Sequence, residues 1–492
     1  MNVPLFINGE EAKSGSGETF SRENPADTTD IVAIVEHASQ DQVSHAVEAA
    51  RQAFDNKEWS NNHRARVKIL YKTAQLLRER KEELASLLIK EIGMPKRQAA
   101  PHILAAADIF EFYAGYADKI YGESYYLSNM DYIAIVKEPI GVAALITPWN
   151  FPYTQSARKI APALATGCTV VYKPASYAPI AGYEMTKILH EAGIPKGVVN
   201  LVYGAGSTVG NWLVGSKVDK ISFTGETTTG ISISKLAAET LKRVSLELGG
   251  KNPFILLDDA NIDNALKALL FGGFRNAGQA CGATSRLLIS KKMEDKIIRK
   301  LELYGKNLRV GNPLEETTDI GPLISGEQER RVMNYIKEGR ERYNLIFGGN
   351  KLKNVALAKG YFVEPTAFAG VDPDSRLAKE EIFGPVISLI SFENEEEAIK
   401  LANDVVYGLT AAIWTDNIGK AFRFAAAIRS GTVWINDNYT QPVEGIWGGY
   451  KYSGIGRELS HYGLDDFLET KQIYVNTSSE AMKPWYKQVV GF

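Results

Sequence analysis

Cysteine is nearly absent: Cys168 and Cys281 are the only two in 492 residues, and their separation offers neither a disulfide framework nor a CxxC metal knuckle. No apolar run approaches the roughly 18 residues that a membrane span needs. The opening MNVPLFINGE has no basic stretch and no long apolar one, so no secretory signal is expected. Charge of one sign is not in excess: 56 Lys and Arg face 58 Asp and Glu, a net of −2. That balance excludes the electrostatic footprint of a nucleic-acid binder. The six His make no HExxH, and no metal site is expected. Asn438-Tyr439-Thr440 spells a glycosylation sequon, but without a secretory route it has no use. These absences leave a large, near-neutral protein of a reducing compartment, and a cytoplasmic location is expected.

What is present is ordinary in amount: 45% hydrophobic and 23% charged residues. At about 150 residues per domain the length allows about three units. The first 120 residues read mostly helical, with Val67, Leu70, Tyr71, Ala74 and Leu77 forming an apolar stripe at helical spacing. From about 132 the character changes. Short β-prone runs (YIAIV, VAALI, TVVYK, VVNLVYG, KISFTG, RVSLEL) alternate with helical stretches near 153–166, 180–192, 207 and 229–241. A second series runs from PFILL at 253–257 through helices at 261–276 and 291–307 to about 436. Alternation of this kind predicts an α/β fold of two open, mostly parallel twisted sheets, helices on both faces, with a cleft between the lobes.

Cys281 follows a helix and is crowded by small residues in Asn276-Ala277-Gly278-Gln279-Ala280-Cys281-Gly282. Small neighbours let a substrate and a backbone N–H come close to the sulfur, and modest tuning turns a thiol into a nucleophile. A small buried cysteine is the plainer reading, and Cys168, entering a β run, is read as core. Glu247 ends the run Ser245-Leu246-Glu247 before two glycines, at a strand's carboxyl edge, where a carboxylate can act as general base or simply be solvated. Pro148-Trp149-Asn150-Phe151-Pro152 fixes the Asn150 amide between two prolines, as an oxyanion donor requires, or as an Asx-turn would. Gly225 and Gly230 link a strand to a helix start suited to a pyrophosphate, although GxxxxG is not GxGxxG; Gly204, Gly206 and Gly210 form another near miss. Lys173 closes TVVYK at the sheet edge, where a ribose or phosphate can lie.

In order along the chain, PWNFP, the Lys-Pro after a strand, FTG with GxxxxG, ELGGK, GQAC, Glu380-Glu381-Ile382-Phe383-Gly384-Pro385 and the segment Gly448–Glu458 resemble the aldehyde dehydrogenase superfamily over nearly the whole length. The resemblance implies NAD(P)-dependent oxidation of a small-molecule aldehyde to an acid through a cysteine thiohemiacetal and thioester. It makes Cys281 the nucleophile, Glu247 the base that releases the acid by hydrolysis, and Asn150 with the Cys281 N–H the oxyanion site. Lys159 and Glu458 match a proton-relay pair. The implied cofactor set is Ile146, Thr147, Trp149, Lys173, Ser176, Gly225, Gly230, Leu248, Glu381 and Phe383. Ser176 stands where NAD-preferring members often carry Glu, so NADP is expected to be tolerated or preferred. Glu226 stands where many members have a small hydroxyl residue, and the sequence offers no account of it.

For the substrate, Trp447 with Gly448-Gly449-Tyr450 is similar to betaine aldehyde dehydrogenases, whose aromatic box takes a quaternary ammonium. Arg158 and Arg275, beside Phe151, instead resemble succinate-semialdehyde dehydrogenases, in which such arginines bind the far carboxylate. Two guanidinium groups repel an ammonium, so an anionic short-chain semialdehyde is expected. The alternative is betaine aldehyde or a broad range of aliphatic and aromatic aldehydes; a non-catalytic relative is the remaining one, and Cys281 and Glu247 both speak against it. Pro442 stands about where some semialdehyde enzymes present a Ser. The resemblance further implies a cofactor domain of 1–123 with 140–247, a catalytic domain of 248–450, a bridging element of 124–139 and 470–492, and a homodimer or homotetramer.

Overall fold

The computed structural model describes residues 1–128, 130–352, 357–477 and 483–490. Its first large sheet has eight strands, in the order Gly454–Ile455, Arg243–Glu247, Lys220–Thr224, Val142–Thr147, Thr169–Pro174, Val199–Leu201, Leu5–Ile7 and Glu10–Ala12. The five from Arg243–Glu247 to Val199–Leu201 run parallel, and the rest join antiparallel at the two ends. These parallel strands carry no alternation because both faces are covered; all six residues of Val142–Thr147 are buried. Register places Thr147 beside Pro174 and Thr224 beside Glu247, so one carboxyl edge gathers them all.

The second sheet has seven strands around Pro253–Leu256, Arg286–Ser290 and Val386–Phe392, parallel except for the edge strand Asn344–Phe347. The chain passes from one sheet to the other between Glu247 and Pro253, where the cofactor and catalytic domains were expected to meet. Near its C-terminus it returns, and Gly454 pairs with Glu247, which carries the 447–458 segment onto the first sheet. A separate three-stranded antiparallel sheet pairs Tyr132–Pro139 with Leu468–Val475 and Glu123–Tyr126; of the expected bridging element, residues 129, 478–482, 491 and 492 lie outside the described residues. Among the described residues no helix is long and apolar enough to cross a membrane.

Several sequence expectations need correction. The first 36 residues form five strands joined by turns rather than helix, the last of them Asp27–Glu36. Its polar DTTD half hides a β-branched IVAIV half that alternates only partly in burial. In helix His63–Glu79 the buried face is Arg66, Ile69, Leu70, Thr73, Ala74 and Leu77, while Tyr71 is exposed. The stripe turns because Arg66 is drawn inward to the carbonyls of Ala165 (3.0 Å), Trp59 (3.1 Å) and Ser60 (2.6 Å). The helix expected at 261–276 stops at Phe274, and that at 229–241 stops at Ala238, before left-handed Leu241. Cys168 is fully buried, with its sulfur against the Phe467 carbonyl.

Candidate active site

Beyond Phe274 the chain winds left-handed through Asn276 (φ 50°), Ala277 (φ 56°) and Gly278 (φ 71°) before reaching Cys281. For a residue with a side chain this conformation costs about 1–2 kcal/mol, so the turn must be held from outside. Asn276 N–H donates to Gln98 Oε1 (3.2 Å), its Nδ2 to the Asn150 carbonyl (2.9 Å), and Gln279 Nε2 to the Asn276 carbonyl (3.0 Å). At Gly278 a Cβ would run into the Gly384 backbone, so glycine is required. The Cys281 carbonyl accepts from Asn252 Nδ2 (2.8 Å), while its own N–H has no acceptor among the described residues.

Two cavities meet at this cysteine. One, of about 470 Å³, is walled by Phe151, Arg158, Arg275, Tyr439, Gln441 and Trp447 among others. The second, of about 270 Å³, is walled by Trp149, Asn150, Thr224, Gly225, Leu248, Glu381 and Phe383 among others. Among the described residues Cys281 alone lines both. Burial first and the Glu381 carboxylate next push the Cys281 thiol up to about 12, against the pull of Arg158.

Asn150 is buried, with Nδ2 on the Gln279 carbonyl (3.0 Å) and Oδ1 without a partner. Glu247 lines neither cavity. It lies behind them against Gly448, where a Cβ would stand 2.8 Å from its Oε1, and its Oε2 has no partner. Burial and then the charge of Glu458 hold its carboxyl well above the usual carboxylate range. Glu458 Oε1 is 2.5 Å from Lys159 Nζ, both side chains buried, so the two relay candidates are in direct contact.

The smaller cavity has a polar lining that suits one end of a dinucleotide cofactor. Thr224 Oγ1 and Asn150 Oδ1 are buried in its wall without partners, and such atoms need a ligand or water. Burial pushes the Glu381 carboxyl up to about 7, and its Oε1 accepts from Gly250 N–H (3.0 Å). Phe383, at φ 58°, is held by Gln328, whose Nε2 donates to the Phe383 carbonyl (2.7 Å).

Five of the ten expected cofactor residues do not line this cavity: Ile146, Thr147, Lys173, Ser176 and Gly230. Thr147 Oγ1 is 3.2 Å from the Tyr172 hydroxyl, and Gly230 lies under Leu248, whose Cδ2 a Cβ would meet at 2.6 Å. Lys173 and Ser176 face the Gly204–Gly210 turn instead: Lys173 Cε is 3.9 Å from the Cβ position of Gly210, and Ser176 Oγ donates to the Gly204 carbonyl (3.3 Å). Burial brings the Lys173 ammonium down to about 8; its one acceptor among the described residues is the Pro174 carbonyl at 3.5 Å. Glu226 is exposed and lines the cavity, so it is not turned away; at the rim, water screens it. Sequence reasoning missed Gln328 and Arg331, on Gly326–Arg342, which reads only as a charged amphipathic helix.

In the larger cavity Phe151, Arg158, Arg275 and Trp447 are brought together. Neither arginine is paired with a carboxylate among the described residues. Arg158 donates to Gln441 Oε1, lies 5.2 Å from the Trp447 ring centroid and leaves Nε without a partner. The Arg275 guanidinium sits among three rings: Phe151 at 5.0 Å, Tyr439 at 5.1 Å and Phe271 at 5.7 Å. An aromatic cage is present, and its cation is the protein's own.

The sequence profile of the aldehyde dehydrogenase family matches residues 12–473. The chain is 42% identical to the betaine aldehyde dehydrogenase of Bacillus subtilis, over 99% of this chain and 100% of that one. It is 38% identical to the peroxisomal aminoaldehyde dehydrogenase 1 of Pisum sativum, over 98% and 97%. Among solved structures, betaine aldehyde dehydrogenase from Staphylococcus aureus in complex with NAD+ superposes with a TM-score of 0.95 at 39% identity, covering 98% of this chain and 96% of that one. The NAD+ complex of an aldehyde dehydrogenase from Bacillus cereus gives 0.94 at 40%, covering 97% of each.

Proposed function

The chain belongs to the aldehyde dehydrogenase family, and on that premise we propose that it oxidises an anionic short-chain semialdehyde, such as succinic semialdehyde, to the diacid. The observation that carries the chemistry is the wall shared by the two cavities, which lets one thiol meet an aldehyde on one side and a cofactor on the other. The Cys281 thiol gives its proton to water in the cavity, and its sulfur attacks the carbonyl carbon. The charge that develops on oxygen falls to the free Cys281 N–H and the Asn150 amide, each such donor being worth about 10²–10³ in rate. Trp149, Gly225, Leu248, Glu381 and Phe383 would hold NAD or NADP, with Lys173 at the far end, and the cofactor would supply the hydride acceptor. The resulting thioester is hydrolysed by water that gives its proton to Glu247. Burial that raises this carboxyl also makes it the stronger base. The solved relatives named above hold NAD+; Ser176 brings no carboxylate to repel a 2′-phosphate, so NADP is accepted as well.

Names of the relatives point to cationic aldehydes; the buried Arg158 and half-buried Arg275 of the cavity point the other way, while its two carboxylates, Asp108 and Glu444, are exposed. At about 5 Å and an effective dielectric of about 20, a guanidinium repels a substrate ammonium by about 3 kcal/mol. Cation–π attraction returns only about 0.5–2 kcal/mol, and three of the rings are occupied by Arg275. With its faces covered, Arg275 keeps its N–H edges for a carboxylate, worth about 1.5–3 kcal/mol per charge-assisted bond. Betaine or amino aldehydes are the second reading, favoured by Trp447 in the cavity wall.

Initial rates with succinic semialdehyde, a neutral aldehyde of equal length and betaine aldehyde, each with NAD and NADP, decide between them. The anion is expected to lead in kcat/KM by at least about tenfold, the effect of about 1.4 kcal/mol. In Arg275→Ala that lead should shrink and betaine aldehyde should gain. Preference for betaine aldehyde in the unaltered enzyme would overturn the substrate assignment and leave the chemistry standing.

A further inference from the structure

The buried charges do not end at Lys159. Its Nζ, besides the contact with Glu458, donates to Ser222 Oγ (3.0 Å). Ser222 lies on Lys220–Thr224, and Lys220, two residues earlier, projects from the same face. Lys220 is 1% exposed, and its ammonium lies 4.0 Å from Asp466 Oδ2. Asp466 accepts the N–H of Arg457, the neighbour of Glu458. Gly456 passes so close that a Cβ would stand 2.7 Å from Asp466 Oδ2. At 26% the Asp466 side chain is the first of the series to meet solvent.

Nothing in the oxidation uses Lys220 or Asp466, and lysine is among the side chains least often fully buried. Glu247, Glu458 and Asp466 lie among Lys159, Lys220, Arg158 and Arg457, so each carboxyl of the series has a cation beside it. Arg243 and Cys168 also face Lys220, and Tyr113 faces Glu458 and Asp466. Burial raises the Asp466 carboxyl and lowers the Lys220 ammonium, which brings the two closer in proton affinity.

We propose that Lys220 and Asp466 form the outlet through which the proton collected by Glu247 reaches solvent. This rests on the hydrolytic reading above. Water adds its oxygen to the acyl carbon and gives one proton to Glu247; the carbon–sulfur bond breaks, and Cys281 leaves as thiolate. The proton passes to Glu458. Each lysine, already an ammonium, releases a proton first: Asp466 takes one from Lys220 and passes it to bulk water, Lys220 is refilled from Lys159, and Lys159 from Glu458. No electron changes hands.

The test is deacylation measured without cofactor. p-Nitrophenyl acetate acylates a reactive thiol directly, so the burst of p-nitrophenolate reports acylation and the steady rate reports hydrolysis. In Asp466→Asn and in Lys220→Met the burst should keep its size and rate while hydrolysis slows by about tenfold. Imidazole buffer should restore the rate by carrying the proton, and Asp466→Glu should restore it without added buffer. Unchanged hydrolysis in the variants overturns the proposal. So does a loss of burst and hydrolysis together that no buffer repairs, because that marks a structural role. If Lys220→Met fails to fold, Asp466→Asn decides alone. Absence of aldehyde-dependent cofactor reduction in the unaltered enzyme would sink the oxidation instead, and the ester assay keeps the two failures apart.

Discussion

At Cys281 the resting structure holds a thiol rather than a thiolate, since burial and two nearby carboxylates, Glu381 and Glu247, all oppose the anion. Only the thiolate is nucleophilic, and below its pKa of about 12 that form grows tenfold for each unit of rising pH. Alkylation by iodoacetamide should therefore accelerate about tenfold per unit from about pH 7 to 9 without a plateau. Cys168 is fully buried, so Cys281→Ala should abolish the labelling, and a plateau near neutrality would show that the thiol is not raised. Residue types in PWNFP, ELGGK and GQAC made this chemistry legible from sequence, because each bears its reactive group beside the Gly or Pro that shapes its loop. What could not be read was partnership. That Arg275 lies among Phe151, Phe271 and Tyr439 depends on three segments that only the fold assembles, and Glu247 gives no sign in the sequence that it sits behind the cavities rather than in one.

Elements of the two parallel sheets were legible because fully buried strands are short apolar runs bounded by turns, and helices between them have periodic faces. The N-terminal strands were not, since half of Asp27–Glu36 is polar and its register is set by pairing with Thr19–Asn24 far more than by its own pattern. Helix His63–Glu79 shows the same limit in a single side chain. Arg66 donates to three carbonyls within 3.1 Å and reaches a fourth, that of Ala117, at 3.4 Å, pinning this helix to Pro152–Thr166. Arg66→Met leaves the Ala165, Ser60 and Ala117 carbonyls without their donor, while the Trp59 carbonyl keeps the Asn62 N–H, and should cost about 3 kcal/mol. A drop of several degrees in the thermal midpoint, with kcat/KM of the surviving enzyme unchanged, is the expected result; an unchanged midpoint would mean that water satisfies them.

The whole molecule carries an unfinished sheet. Glu123–Tyr126 is exposed along its entire length, and Leu468–Val475 exposes Ile473, Tyr474 and Val475. Open edges with exposed apolar side chains invite a further strand, so the homo-oligomer expected from the sequence has a surface on which to form. Light scattering should give at least twice the 54.2 kDa chain mass, and Tyr125→Lys with Ile473→Asp should return it toward one chain. A monomer in the unaltered protein would refute this.

The cysteine that opens on two cavities has a cost as well as a use. A small oxidant or alkylating agent can reach the sulfur from either mouth, and a ligand seated in one leaves the other unguarded. Shielding against such damage therefore comes only in the doubly filled state. The idle enzyme, and the enzyme holding a single partner, are the forms in which the thiol ages.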